Sequence, residues 1–378
     1  MTDSPTWQSP GASAAPVPPS SESPWHAAQA APAVAPPAVG WAPPPRPGLI
    51  PLRPLDFGTI FGTTFRVLRR NPRPVFGVAI GLTTLVAFIA GAVVTVVVLL
   101  GTDRIARAAP EDMEAIAIGT GAVVLISALL TAALTVVAGA LLQGVIAIEV
   151  ATASLGERLT FRQLWARGRG RWGALVGWSL LLSALLVVAI AILVGLVVLM
   201  VSIGDVGGIV AGVVVGVLGG LGMAVLASWL WIKLLFVPPA LVLERRPLRE
   251  SVGRSWRLII GRFWRTFGIM LLLSVAIQTA ASVVTAPFSL VSGFAGALVN
   301  PTGDLTADLS FLIGINLIAI ALSAVVGAVG AVLLSGGATL LYVDARMRDE
   351  GLDLDLQRTV EARAAGASTD DPFLPARS

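Results

Sequence analysis

The 378-residue sequence has no cysteine and one histidine, His26. Without cysteine there is no disulfide, no thiolate nucleophile and no zinc–thiolate cluster. His26 sits in a Pro/Ala/Ser-rich N-terminal stretch, so neither an imidazole base nor a histidine metal site is expected in the folded part. Charge is scarce too: Asp, Glu, Lys and Arg make up 13% of the chain, and Lys233 is the only lysine. No P-loop, GxGxxG or GxSxG pattern stands where a strand or helix could use it, and strand-like alternation of the kind a membrane barrel needs is missing. No cofactor, no metal and no nucleic-acid partner is therefore expected.

Apolar sequence takes up the space that charge leaves. The chain is 56% hydrophobic with a mean hydropathy of +0.86. Several apolar stretches reach the length of about 20 residues that crosses a hydrocarbon core of roughly 30 Å. The expected fold class is an all-α polytopic membrane protein. Its six transmembrane helices are expected at about 75–100, 116–148, 172–202, 206–237, 267–299 and 309–343. Residues 48–356 form the membrane domain in this reading. Residues 1–47, with Trp7, Trp25 and Trp41 among prolines, and residues 357–378 are expected to be disordered cytoplasmic tails. The first 47 residues hold no signal-peptide core, so the first spanning helix is expected to act as the insertion signal.

The stretch 236–271 sets the pattern for the rest. Leu248, Val252, Trp256, Ile259, Ile260 and Phe263 follow a helical stripe, with Arg249, Glu250, Arg254, Arg257 and Arg262 mostly off it. An amphipathic, arginine-flanked segment beside a membrane span reads as an interfacial elbow. Arg249, Arg254, Arg257, Arg262, Arg265, Trp256 and Trp264 are the candidate lipid-headgroup contacts. Two further elbows match it. One carries Phe57, Phe61, Phe65 and Leu68 and ends at Pro72 and Pro74; the other carries Phe161, Leu164 and Trp165 among five arginines.

Spacing turns this into a repeat. Glu149, Glu244 and Asp344 close the even spans at intervals of 95 and 100 residues, and Arg73, Arg171 and Arg265 open the odd ones at 98 and 94. Three tandem units, each an elbow followed by a helical hairpin, all insert in the same sense. With both termini inside, 24 of the 26 basic residues fall on the cytoplasmic side, the bias that orients membrane proteins. The three acids are expected in interfacial ion pairs, and Lys233 near Trp229 and Trp231 as a snorkelling anchor. Pro287 is a point where the fifth span is expected to bend.

Small residues recur every fourth position in the even spans: Ser127, Thr131, Thr135 and Gly139; Gly208, Gly212, Gly216 and Gly220; Ser323, Gly327, Ala331 and Ser335. Such stripes let backbones approach closely. The even helices are therefore expected to form the inner contacts and the odd ones to face lipid. Gln143, Gln278 and Asn316 are expected to make interhelical hydrogen bonds.

The segments RPLDFGTIFGTTFRVLRRNPRPVFG, FVPPALVLE, GRSWRLIIGRFWRTFGIMLL and TLLYVDARMRDEGLDLDL resemble the membrane domain named for glycerophosphoryl diester phosphodiesterases, especially its stand-alone actinobacterial members, over about 48–356. The family name implies a catalytic barrel with acids and histidines around a metal, and this chain has no such barrel. The resemblance implies a six-helix plasma-membrane protein. Membrane lipids and a membrane protein are the expected partners, with the oligomeric state open. The expected role is non-enzymatic, as a structural or accessory subunit. A transporter-like component is the alternative, and a membrane-embedded lipid hydrolase comes last.

Overall fold

The computed structural model describes residues 54–70, 72–107, 109–298, 305–367 and 370–374. All of them belong to the unit Pro45–Ser378. The tail 1–47, with its three tryptophans and His26, lies outside the described residues. Among the described residues there is no strand. The protein is an all-α polytopic membrane protein with six helices long and apolar enough to cross a bilayer.

The three units are plain in the element order. The first is α1 (Phe57–Arg70), α2 (Pro72–Ala106) and α3 (Met113–Ser154). The second is α4 (Phe161–Arg167), α5 (Trp172–Val201), α6 (Val206–Lys233) and a short α7 (Val237–Leu243). The third is α8 (Leu248–Ile259), α9 (Phe263–Leu298), α10 (Leu305–Glu350) and α11 (Leu352–Ala364). Pro72 opens α2, where a missing N–H costs nothing. Pro238 and Pro239 likewise sit in the first turn of α7, so the chain breaks after Lys233 and restarts at once. The Ser255 hydroxyl stabilises that break, donating to the Lys233 carbonyl at 2.7 Å and accepting from Phe236 N at 3.1 Å. α9 continues as helix through Pro287.

α10 packs on α2, α9, α3 and α1, and α3 packs on α2, α10, α5 and α7. The central pair is α3 and α10, as the even-helix idea required. The remaining even helix departs from it. α6 packs mainly on α5, its own hairpin partner, while the odd helix α2 packs on both α3 and α10. The reason is local. Gly204 takes a left-handed φ of 81°, and Asp205 caps α6 by accepting from Gly208 N at 2.5 Å, so α6 folds straight back along α5. A Cβ at Gly208 would lie 2.5 Å from the Met200 carbonyl oxygen, and one at Gly212 would lie 2.8 Å from Val201 Cγ2. A Cβ at Gly216 would touch Val197 Cγ2 at 3.4 Å; Gly220 faces open space, and Gly219 is the residue that meets Leu193. The expected α10 stripe is also turned by one residue: Ala324, Ala328 and Val332 are buried, whereas Ser323 and Gly327 are exposed.

Packing is concentrated at one end of the bundle, where the three elbows meet the ends of α3, α7 and α10. Here lie Ile60, Ile146, Ile148, Phe236, Leu241, Ile259, Leu340 and Tyr342, each at most 3% exposed. The C-terminal segment departs from the expected disordered tail. α11 buries Leu352, Leu356 and Thr359, and beyond it Phe373 is buried in the same core.

Candidate functional site: the polar cluster at the elbow end

Glu244 closes α7 and is 2% exposed. Its carboxylate accepts from Arg254 Nε at 2.5 Å, from Arg246 Nε at 2.6 Å and from the Tyr342 hydroxyl. Glu350 then bridges Arg254 at 2.7 Å and Arg346 at 2.9 Å. Tyr342, Arg346 and Glu350 stand at i, i+4 and i+8, on one face of α10. α8 supplies Arg254 from its buried face, between Ser251, Ser255 and Leu258. Burial works against the Arg254 charge, but hydrogen bonding to Glu350 and attraction to Glu244 outweigh it, so this guanidinium is held above the ordinary arginine range.

A second clamp centres on Asp344, also 2% exposed. It accepts from Arg265 at 2.8 Å, from Arg348 Nε at 3.0 Å and from Leu55 N at 2.8 Å, while Arg265 and Arg348 both donate to the Leu55 carbonyl. One carboxylate and two guanidiniums thus tie the start of the first unit to the third. Arg262 adds a forked pair with Asp349, at 2.7 and 2.5 Å, which raises the Arg262 pKa.

These pairings revise the headgroup set. Arg254 is buried in protein, and Arg262 and Arg265 are engaged by α10 and by Leu55. Arg249 and Arg257 remain on the exposed face of α8, and Trp264 is 79% exposed. Trp256 is half-buried, edge-on to Trp229, with the Lys233 ammonium 5.0 Å from its ring centre. The expected stripe also stops short. α8 ends at Ile259, Gly261 takes a φ of 79°, and Ile260 is 62% exposed rather than continuing to Phe263. Gln278 lies exposed on α9, and the Asn316 side chain is outside the described part. Gln143 lines a pocket of about 110 Å³ with Trp178, Ser179 and Trp231. Glu149 is buried near the end of α3.

Sequence reasoning missed Tyr342, Arg346 and Glu350, although their helical spacing was readable, and it missed Asp371 and Phe373. Two pockets flank that last segment. One, about 430 Å³, is lined by Glu244, Arg246, Arg254, Arg346 and Glu350; the other, about 230 Å³, by Arg167, Arg245 and Asp371 over an apolar floor. Among the described residues no three Asp, Glu, His or Cys gather as a metal site.

Fold and cluster together define a multi-pass helical membrane protein of three hairpin units, clamped by arginine–carboxylate pairs at one end. The chain belongs to the family described as a domain of unknown function (DUF7847), which matches residues 55–345 and so takes in all three units. Searches of curated proteins and of solved structures find no similar chain.

Proposed function

We propose that this protein is a plasma-membrane component with both termini cytoplasmic, serving as a non-enzymatic structural or accessory subunit that engages anionic lipid or a membrane-protein partner. The carrying observation is the outer face of α8, where Arg249 and Arg257 stand exposed beside the break that presents Trp264. Exposed arginines near an anionic surface attract headgroups, and an indole prefers the boundary between water and hydrocarbon. The cytoplasmic orientation rests on 24 of 26 basic residues falling on one side of the six-span topology. Kinship with the glycerophosphoryl diester phosphodiesterase membrane domain belongs to the same proposal and carries no activity with it.

Extraction into native lipid discs, followed by mass spectrometry, tests the reading. A stoichiometric protein partner or an enriched anionic lipid, lost in an Arg249→Gln/Arg257→Gln variant, is the expected result. Recovery of the protein with neither would overturn it. The alternative, a transporter-like component, draws on the pocket holding Gln143 and Ser179 between α3, α5 and the α6–α7 break. Solute flux in liposomes that disappears in Gln143→Leu would favour it.

A further inference from the structure

The charged residues that line the 230 Å³ pocket are Arg167, Arg245 and Asp371, and its floor is Ile148, Ala151, Val242 and Leu243. Asp371 is not part of the membrane bundle. It belongs to the segment beyond α11, and its carboxylate reaches Arg167 Nη2 at 2.6 Å. Two residues on, Phe373 is buried to 3% exposure against the same pocket, and its carbonyl accepts from Arg346 at 3.2 Å. Leu374 lines both this pocket and the larger one beside Arg254. The C-terminal segment therefore fills the space between two arginine-bearing pockets with an acid, an aromatic ring and an aliphatic side chain.

The arginines around it are held in place from behind. Arg245 is the only described non-glycine residue with a positive φ, 54°, a conformation that costs energy unless its surroundings fix it. Its guanidinium donates to the Arg167 carbonyl at 2.9 Å, and Arg171 donates to the carbonyls of Arg245 and Arg246. Glu157, the other carboxylate near Arg167, lies 3.5 Å from it and is already paired with Arg363 at 2.6 Å. Within the pocket, Asp371 is the carboxylate that answers Arg167.

We infer that this pocket is a binding site for a phosphate-type anion carrying an apolar body, the chemistry of an anionic lipid headgroup region, and that residues 371–374 occupy it as an internal competitor. Asp371 takes the place of the anion on Arg167, and Phe373 takes the place of the apolar part. The inference builds on the reading that the elbow end engages anionic lipid, but it assigns a different site from the exposed face of α8. A ligand then binds with an affinity reduced by the fraction of time the segment is docked.

The test uses the full-length protein in detergent, titrated with phosphatidylglycerol, with bound lipid counted by native mass spectrometry and the fold checked by melting. Phe373→Ala is expected to tighten binding of one lipid by about fivefold or more, the gain that undocking of a mostly docked segment gives. Adding Arg167→Gln is expected to erase that gain. Asp371→Asn, which leaves Phe373 to pack, gives the same direction of change if Phe373→Ala melts too early to read. Phosphatidylcholine is expected to show no gain. If inorganic phosphate displaces the lipid from Phe373→Ala, the anion site stands and its source is the soluble phosphate group. No tightening in either folded variant, or a gain that survives Arg167→Gln, would overturn the assignment. A gain abolished by Arg249→Gln/Arg257→Gln instead would move the effect to α8 and overturn it too. A gain that persists in that variant keeps the pocket even if the α8 reading fails.

Discussion

Replacing Glu244 by alanine removes the carboxylate on which three side chains converge. Arg254 loses its 2.5 Å partner, Arg246 its 2.6 Å partner, and the Tyr342 hydroxyl is left buried without its acceptor. Removing one member of a buried ion pair costs about 3–5 kcal/mol, because the surviving charge stays in protein. Glu350 offsets part of this, since it still holds Arg254 and Arg346. The orphaned Tyr342 hydroxyl adds about 1–3 kcal/mol. A net loss near 4 kcal/mol corresponds to a fall in melting temperature of about 6 °C, because a folded unit of more than 300 residues unfolds with an entropy of about 0.7 kcal/mol/K. The comparison is Arg358→Ala, whose pair with Asp355 is 76% and 55% exposed and is worth about 0–1 kcal/mol. Thermal unfolding of both variants in the same detergent reads the difference. In the Glu244→Ala/Arg254→Ala double variant the losses should be less than additive by about 1–3 kcal/mol, as expected for groups that share one cluster. If Glu244→Ala melts within about 2 °C of wild type, or no further from it than Arg358→Ala, the idea of a clamp fails.

Gly208→Ala should cost about 2 kcal/mol because its Cβ would sit 2.5 Å from the Met200 carbonyl oxygen. Gly220→Ala, with open space around it, should be neutral or stabilising by up to about 1 kcal/mol, and melting curves distinguish the two. Gly261→Ala forces a side chain into a φ of 79° and should cost about 1–2 kcal/mol, against little change at Gly268, where no such φ is needed. Neutralising Arg249 or Arg257 should lower the ratio of anionic to zwitterionic lipid that co-purifies, by about 1 kcal/mol or fivefold each, with the difference shrinking as salt rises. Arg262→Gln should instead lower the melting temperature, because its forked pair with Asp349 ties the turn between α8 and α9 to α10.

Spanning helices are legible from sequence because the signal is local: a run of about 20 apolar residues needs no knowledge of its neighbours. The repeat was legible for a similar reason, since elbow and hairpin recur at near-constant spacing. Facing was harder. An arginine on an amphipathic helix reads as outward, and Arg254 points inward only because Glu244 and Glu350, 10 and 96 residues away in sequence, meet it there. The glycine run on α6 marked a close approach correctly in kind, but nothing in spacing alone says whether the partner is α5 or another even helix. The last segment hid behind its charge. Leu352, Leu356, Thr359 and Val360 do trace an i, i+4, i+7, i+8 face, and that face is the one α11 lays on the core.

Within the membrane-length windows of the six helices, the share of residues buried inside the protein runs from 0% in α5 to 22% in α10. Most side chains at that depth are therefore not fully buried within this chain, and lipid gives helices no hydrophobic reason to come together. The bilayer is in effect the larger part of the core. Leucine, isoleucine and valine should exchange along the exposed faces of α5 and α6 with little consequence, whereas one lost carboxylate at the elbow end loosens the tie between two units at once. How the hairpins tilt against one another at their far ends should therefore respond to the thickness of the surrounding lipid.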